Sequence, residues 1–106
     1  MDTIYIYRGD TKTIQFNLTT SGTGSAFDAT GYTPWLTVKE GLTSTGSPYL
    51  IDVSGTVANG SVINVDLTSG NTNLVGIKAA ELEITSGTNI TTAKQFWIEF
   101  KQDVRV

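Results

Sequence analysis

The chain has no cysteine and no histidine among its 106 residues. Those two absences exclude disulfides, thiolate or imidazole zinc sites, haem attachment, iron–sulfur clusters and every nucleophile relayed through an imidazole. Basic residues are also few, 7 Lys+Arg against 10 Asp+Glu, and they are scattered. A formal charge of -3 therefore argues against a phosphate-binding surface, which needs clustered cations to displace counterions, and no nucleic-acid partner is expected. Long hydrophobic runs are missing too. The run Ile4 to Tyr7 is far shorter than a membrane span or the apolar part of a signal peptide, and no basic segment precedes it. The expectation is a protein made in a cytoplasm with no membrane partner.

What is present is β-forming. Val, Ile, Thr and aromatic residues recur with period-two alternation, and helical periodicity does not. The alternation predicts strands at Thr3 to Tyr7, Thr11 to Leu18, Tyr32 to Lys39, Tyr49 to Val57, Val62 to Leu67, Lys78 to Thr85 and Thr92 to Lys101. Polar, Gly-rich stretches separate them at 19–25 and 41–48, a turn region spans Phe27 to Gly31, and Thr68 to Val75 holds a long connection or a short helical turn. Asn59-Gly60 signals a hairpin. Pro34 cannot donate to a ladder, so its strand is expected to begin at a sheet edge or to be irregular there.

About seven short strands with regular turn signals describe an all-β, antiparallel β-sandwich, immunoglobulin-like and single-domain over residues 1–106, with a barrel as the alternative. With no disulfide available, Phe16, Phe96, Phe100, Tyr32 and the aliphatic residues have to fill the core.

Candidate chemistry is sparse. Arg8-Gly9-Asp10 spells an adhesion tripeptide, yet Gly and Asp are also what a tight turn needs, and the turn reading is preferred. Asn17, Asn59 and Asn89 head glycosylation sequons, read here as accidents of a Thr- and Asn-rich chain. Glu81 and Glu83 lie two apart on one strand, so their carboxylates share a face about 7 Å apart, a spacing that suits an inverting glycosidase. A solvated strand face is the preferred explanation of both, as it is of Asp52 and Asp66, and no catalytic residue is assigned. No Asp-rich calcium loop occurs, so neither metal nor cofactor is expected. More informative are Trp35 and Trp97, which alternation turns away from the core. In an immunoglobulin-like order they flank the strand bearing Ala79 and Glu81, and exposed Trp is enriched at interface centres. A small second core under a loop is the competing explanation.

At Tyr7-Arg8-Gly9-Asp10-Thr11 and again at Asp28-Ala29-Thr30-Gly31-Tyr32-Thr33 the chain resembles small β-sandwich proteins of tailed bacteriophages. These are similar to the N-terminal domain of the baseplate upper protein family and to tail-fibre-associated proteins. Ala29 stands where that family usually has Leu, Thr68 to Leu74 resembles its stretch before the sixth strand, and Phe96 to Val104 is similar to its ending. The resemblance implies a non-enzymatic, immunoglobulin-like virion module, with Arg8, Gly9, Asp10, Asp28, Gly31 and Tyr32 as turn residues.

The expectation is therefore a bacteriophage structural protein of the tail, baseplate or fibre apparatus. It would sit in the virion in several copies and bind other virion proteins through sheet edges and the aromatic residues Trp35 and Trp97, with Glu81 and Ala79 between them. Capsid decoration is an alternative location. A carbohydrate-binding module using Trp35, Trp97 and Tyr49 to stack on host glycans is an alternative of a different class.

Overall fold

The computed structural model describes residues 2–20, 24–41 and 49–102. The loop readings at 21–23 and 42–48 and the expected Asp103-Val104 ending lie outside the described residues. The strands are β1 (Thr3–Tyr7), β2 (Lys12–Asn17), β3 (Thr33–Lys39), β4 (Ile51–Ser54), β5 (Thr56–Asn59), β6 (Val62–Leu67), β7 (Gly76–Ser86) and β8 (Asn89–Lys101). They form a sandwich of one five-stranded sheet, in the order β1-β8-β7-β3-β4, and one three-stranded sheet, β2-β6-β5. That is the immunoglobulin arrangement, with the first strand placed beside the last.

Alternation builds the core. Leu36, Val38, Leu82, Phe96 and Ile98 point inward from the large sheet and meet Ile14, Phe16, Ile63 and Val65 of the small one. Phe16 and Phe96 join the layers directly, with tilted rings 5.5 Å apart. Each fully buried side chain of this size contributes about 2 kcal/mol. The exposed Lys94–Asp2 ion pair, at 3.1 Å, belongs to a class worth about 1 kcal/mol or less, so apolar burial sets the stability.

The sandwich of about seven, mostly antiparallel strands is as expected, and two of its details differ from the sequence reading. The stretch read as one strand from Tyr49 to Val57 is two, because the chain leaves the large sheet after Ser54 and joins the small one at Thr56. Gly55 is the corner. A Cβ there would lie 2.8 Å from the Asn64 carbonyl oxygen and 2.8 Å from Val65 Cγ2, so no larger residue fits. The same corner accommodates Pro34. Its carbonyl accepts the Gly55 N–H at 3.0 Å, which shows that its missing donor faces the side β4 vacates.

The second correction is that β1 pairs with β8 in parallel, Thr3 opposite Trp97 through Tyr7 opposite Lys101. The tight turn after β1 carries the chain to the other sheet, so β1 and β2 cannot form a hairpin. In that turn Asp10 N–H donates to the Tyr7 carbonyl and Gly9 takes φ 84, the left-handed value a type II turn demands at its third residue.

β7 and β8 make the longest hairpin, closed by Gly87 at φ 61 in the first position of a two-residue turn. Its register shifts between Leu82 and Glu83, where Ala93 is bulged out of the pairing. Among the described residues no helix is long and apolar enough to cross a membrane.

Candidate interaction surface

The outward face of the five-stranded sheet can be assembled from strand register. Thr3, Trp97, Ala79 and Lys39 form one row across β1, β8, β7 and β3. Tyr5, Glu99 and Ile77 form the next row toward the end of β8, followed by Tyr7 beside Lys101. In the other direction lie Gln95, Glu81, Thr37 and Asp52, then Thr92, Glu83, Trp35 and Ser54.

Trp35 and Trp97 thus share this face without sharing a row. Their partners on β7, Glu83 and Ala79, are four residues apart, about 13 Å along the strand. Glu81 lies between, accepting a hydrogen bond from Gln95 Nε2 at 2.8 Å. Trp35 is partly exposed, and its indole N–H donates to the Asp52 carboxylate on β4, which fixes the ring over that side of the sheet. Ala79 is buried although it faces outward, because a methyl group between Trp97 and Lys39 is covered by its longer neighbours.

The residues that sequence reasoning missed lie on the β1 side. Tyr5, Tyr7 and Ile77 are 58%, 53% and 57% exposed, and Val75, just before β7, is exposed as well. With half-buried Trp97, Tyr5, Tyr7 and Ile77 surround Glu99 and Lys101. Lys101 Nζ lies over the Tyr5 ring, 4.8 Å from its centre, in a cation–π contact. Strict alternation after buried Ile6 was the available signal for the tyrosines. Ile77 fell one residue outside the strand predicted from Lys78.

The turn motifs have internal partners. Arg8 Nε donates to Asn73 Oδ1 at 2.9 Å, and Gly9 N–H donates to the Thr72 carbonyl at 3.2 Å. Thr72 is fully buried, and its hydroxyl donates to the Asp10 carbonyl at 2.7 Å. Arg8 to Asp10 is therefore one half of a loop clasp whose other half is 68–74, where Thr72 N–H closes a single helical turn on the Thr68 carbonyl. In the second motif Asp28 Oδ1 accepts from the Thr30 hydroxyl at 2.6 Å and its N–H at 3.0 Å. These bonds hold the Asp28 carboxyl below its ordinary range. Gly31, at φ 89, lets Tyr32 N–H reach the Ala29 carbonyl, and Tyr32 then packs on Phe27. Ala29 itself is fully buried.

A groove of about 610 Å³ runs between the end of β2 and the β7–β8 hairpin, lined by Leu18, Phe27, Ile84, Thr92 and Lys94. Among the described residues Lys94 is the one ionisable group in that lining. Glu81 and Glu83 stand elsewhere, on the open sheet face. Among the described residues no three metal-ligating side chains converge.

No protein-family model matches the sequence, and no curated protein matches it. Among solved structures, the chain is similar to the N-terminal domain of phage TP901-1 ORF48, with a TM-score of 0.62 and 11% sequence identity over 93% of this chain and 84% of that one. At that identity the likeness is one of fold: the chain is built as the N-terminal domain of this phage protein is built.

Proposed function

We propose that the protein is a bacteriophage virion component, a non-enzymatic module of the tail, baseplate or fibre apparatus that docks to other virion proteins. The observation that carries this reading is the outward face of the five-stranded sheet, where Tyr5, Tyr7 and Ile77 stand exposed beside Trp97. Large apolar side chains gathered on one sheet face mark a contact site, because leaving them in water forgoes the burial that drives association. Fold similarity to a phage protein domain and the sequence resemblance of the two turn motifs supply the context.

The test is a map of the assembled particle. Ile77 and Trp97 should be covered by a neighbouring virion protein, and the position of the chain distinguishes tail from capsid. If both side chains face solvent in the particle, the docking face is wrong. Absence of the chain from purified particles would remove the virion assignment itself.

A further inference from the structure

The edge of the large sheet at β1 differs from the other sheet edges. Edge strands expose unpaired backbone groups and are normally protected by charge, bulges, proline or shortness. β2 carries Lys12, β5 has a register shift at Ala58, and β4 has four residues and an outward Asp52. β1, with the sequence Thr-Ile-Tyr-Ile-Tyr, has no charge, no proline and no irregularity in its pairing.

The direction of its free groups follows from two bonds. Trp97 N–H donates to the Asp2 carbonyl, and Arg8 N–H donates to the Lys101 carbonyl. Even-numbered residues therefore turn their backbone groups toward β8, and Thr3, Tyr5 and Tyr7 turn theirs outward.

We propose that β1 pairs antiparallel with β1 of a second copy of this chain, centred on Tyr5, merging two five-stranded sheets into one. In this register Tyr5 faces its own counterpart as a hydrogen-bonded pair, Thr3 faces Tyr7, and Ile4 faces Ile6 on the core side. The same register sets Asp2 opposite Arg8 at both ends, so the two-fold axis brings unlike charges together twice. Both groups can respond. Asp2 is exposed and holds Lys94 by one carboxylate oxygen, whereas Arg8 uses Nε on Asn73 and keeps its terminal nitrogens for a partner. The core side gains as well, because Ile4 is only partly buried within one copy and would be covered by the partner's strand. A second copy is thus the occupant whose apolar, polar and charged positions all match this edge.

The inference does not rest on the virion assignment, since it concerns the purified chain alone. Sedimentation over a concentration series of untagged protein should show a species of twice the monomer mass. Asp2→Arg and Arg8→Asp should each weaken dimerisation about tenfold by placing like charges opposite at two sites, and the double variant should restore it. Tyr5→Lys, which sets two ammonium groups face to face, should give monomer throughout. Circular dichroism and melting curves establish that each variant is folded. A wild type that stays monomeric, or a dimer indifferent to Tyr5→Lys and to the charge reversals, overturns the proposal.

Discussion

The outward face of the three-stranded sheet and the β1 side of the five-stranded one are made by the same alternation and have opposite characters. On the three-stranded sheet the outward residues satisfy one another. Thr13 donates to Asp66 at 2.6 Å across β2 and β6, and Gln15 stands opposite Asn64 in the same pair of strands. On the β1 side of the five-stranded sheet the equivalent positions hold Tyr5, Tyr7, Ile77 and Trp97, whereas toward β3 Gln95 and Glu81 pair as the residues of the small sheet do. The difference shows that period two identifies the side of a strand that leaves the core, and the chemistry of that side identifies what it meets. Cross-strand polar pairs suit water, whereas aromatic and branched side chains suit another protein surface.

The largest test of this contrast removes the corner that separates the faces. Gly55→Val should destabilise the fold by about 3 kcal/mol, because its side chain would overlap the Asn64 carbonyl and Val65 as the chain crosses between sheets. A thermal melt should shift down by more than about 10 °C. An unchanged melting temperature would show that the crossing is not constrained at Gly55.

A matched pair of surface changes comes next. Ile77→Lys should leave stability within about 0.5 kcal/mol yet abolish incorporation into particles, and Gln15→Lys on the other face should leave both unchanged. Equal incorporation of the two variants would erase the distinction between the faces. Within the polar face, Thr13→Ala should lower stability by about 0.5 kcal/mol through loss of its bond to Asp66, measurable by denaturant titration.

The smallest effect lies in the link from β2 to β3, which joins the two sheets. Hydrogen bonds from Thr30 depress the Asp28 carboxyl in the folded protein, so on acidification the unfolded chain takes up that proton first. The contribution is complete above about pH 4 and is lost as pH falls through the lower folded value. Asp28→Asn should flatten the acid side of the stability profile by lowering the neutral plateau slightly, with the variant and the natural protein alike at the lowest pH, where the carboxyl is protonated in both states. A profile of unchanged steepness would show that these bonds do not couple to folding.

Much of this was legible before any coordinates. Ile14 and Phe16, Ile63 and Val65, and Phe96, Ile98 and Phe100 announce inward faces by spacing alone, and Gly9, Gly31 and Gly87 mark turns that need positive φ. Alternation was also enough to turn Trp35 and Trp97 away from the core. The division at Gly55 was not legible, because apolar positions continue across a sheet crossing and the need for glycine comes from Asn64 and Val65, which approach from another strand. Thr72 gave no warning either. It is polar and lies in a polar loop, and its burial follows from contact with Asp10, 62 residues away in sequence. The bulge at Ala93 likewise needs the β7 register to be seen.

The sequence by itself determined an all-β chain without thiol or imidazole chemistry, the side of most strands that faces inward and the sites of its tight turns. Those properties depend on residue type and on neighbours two positions away. Tertiary structure alone decided that β1 runs beside β8, that the chain changes sheets at Gly55, and that Tyr5, Ile77 and Trp97 gather on one open face next to an unprotected edge. Strand pairing joins residues far apart in the chain, and no local pattern specifies which strand will lie alongside.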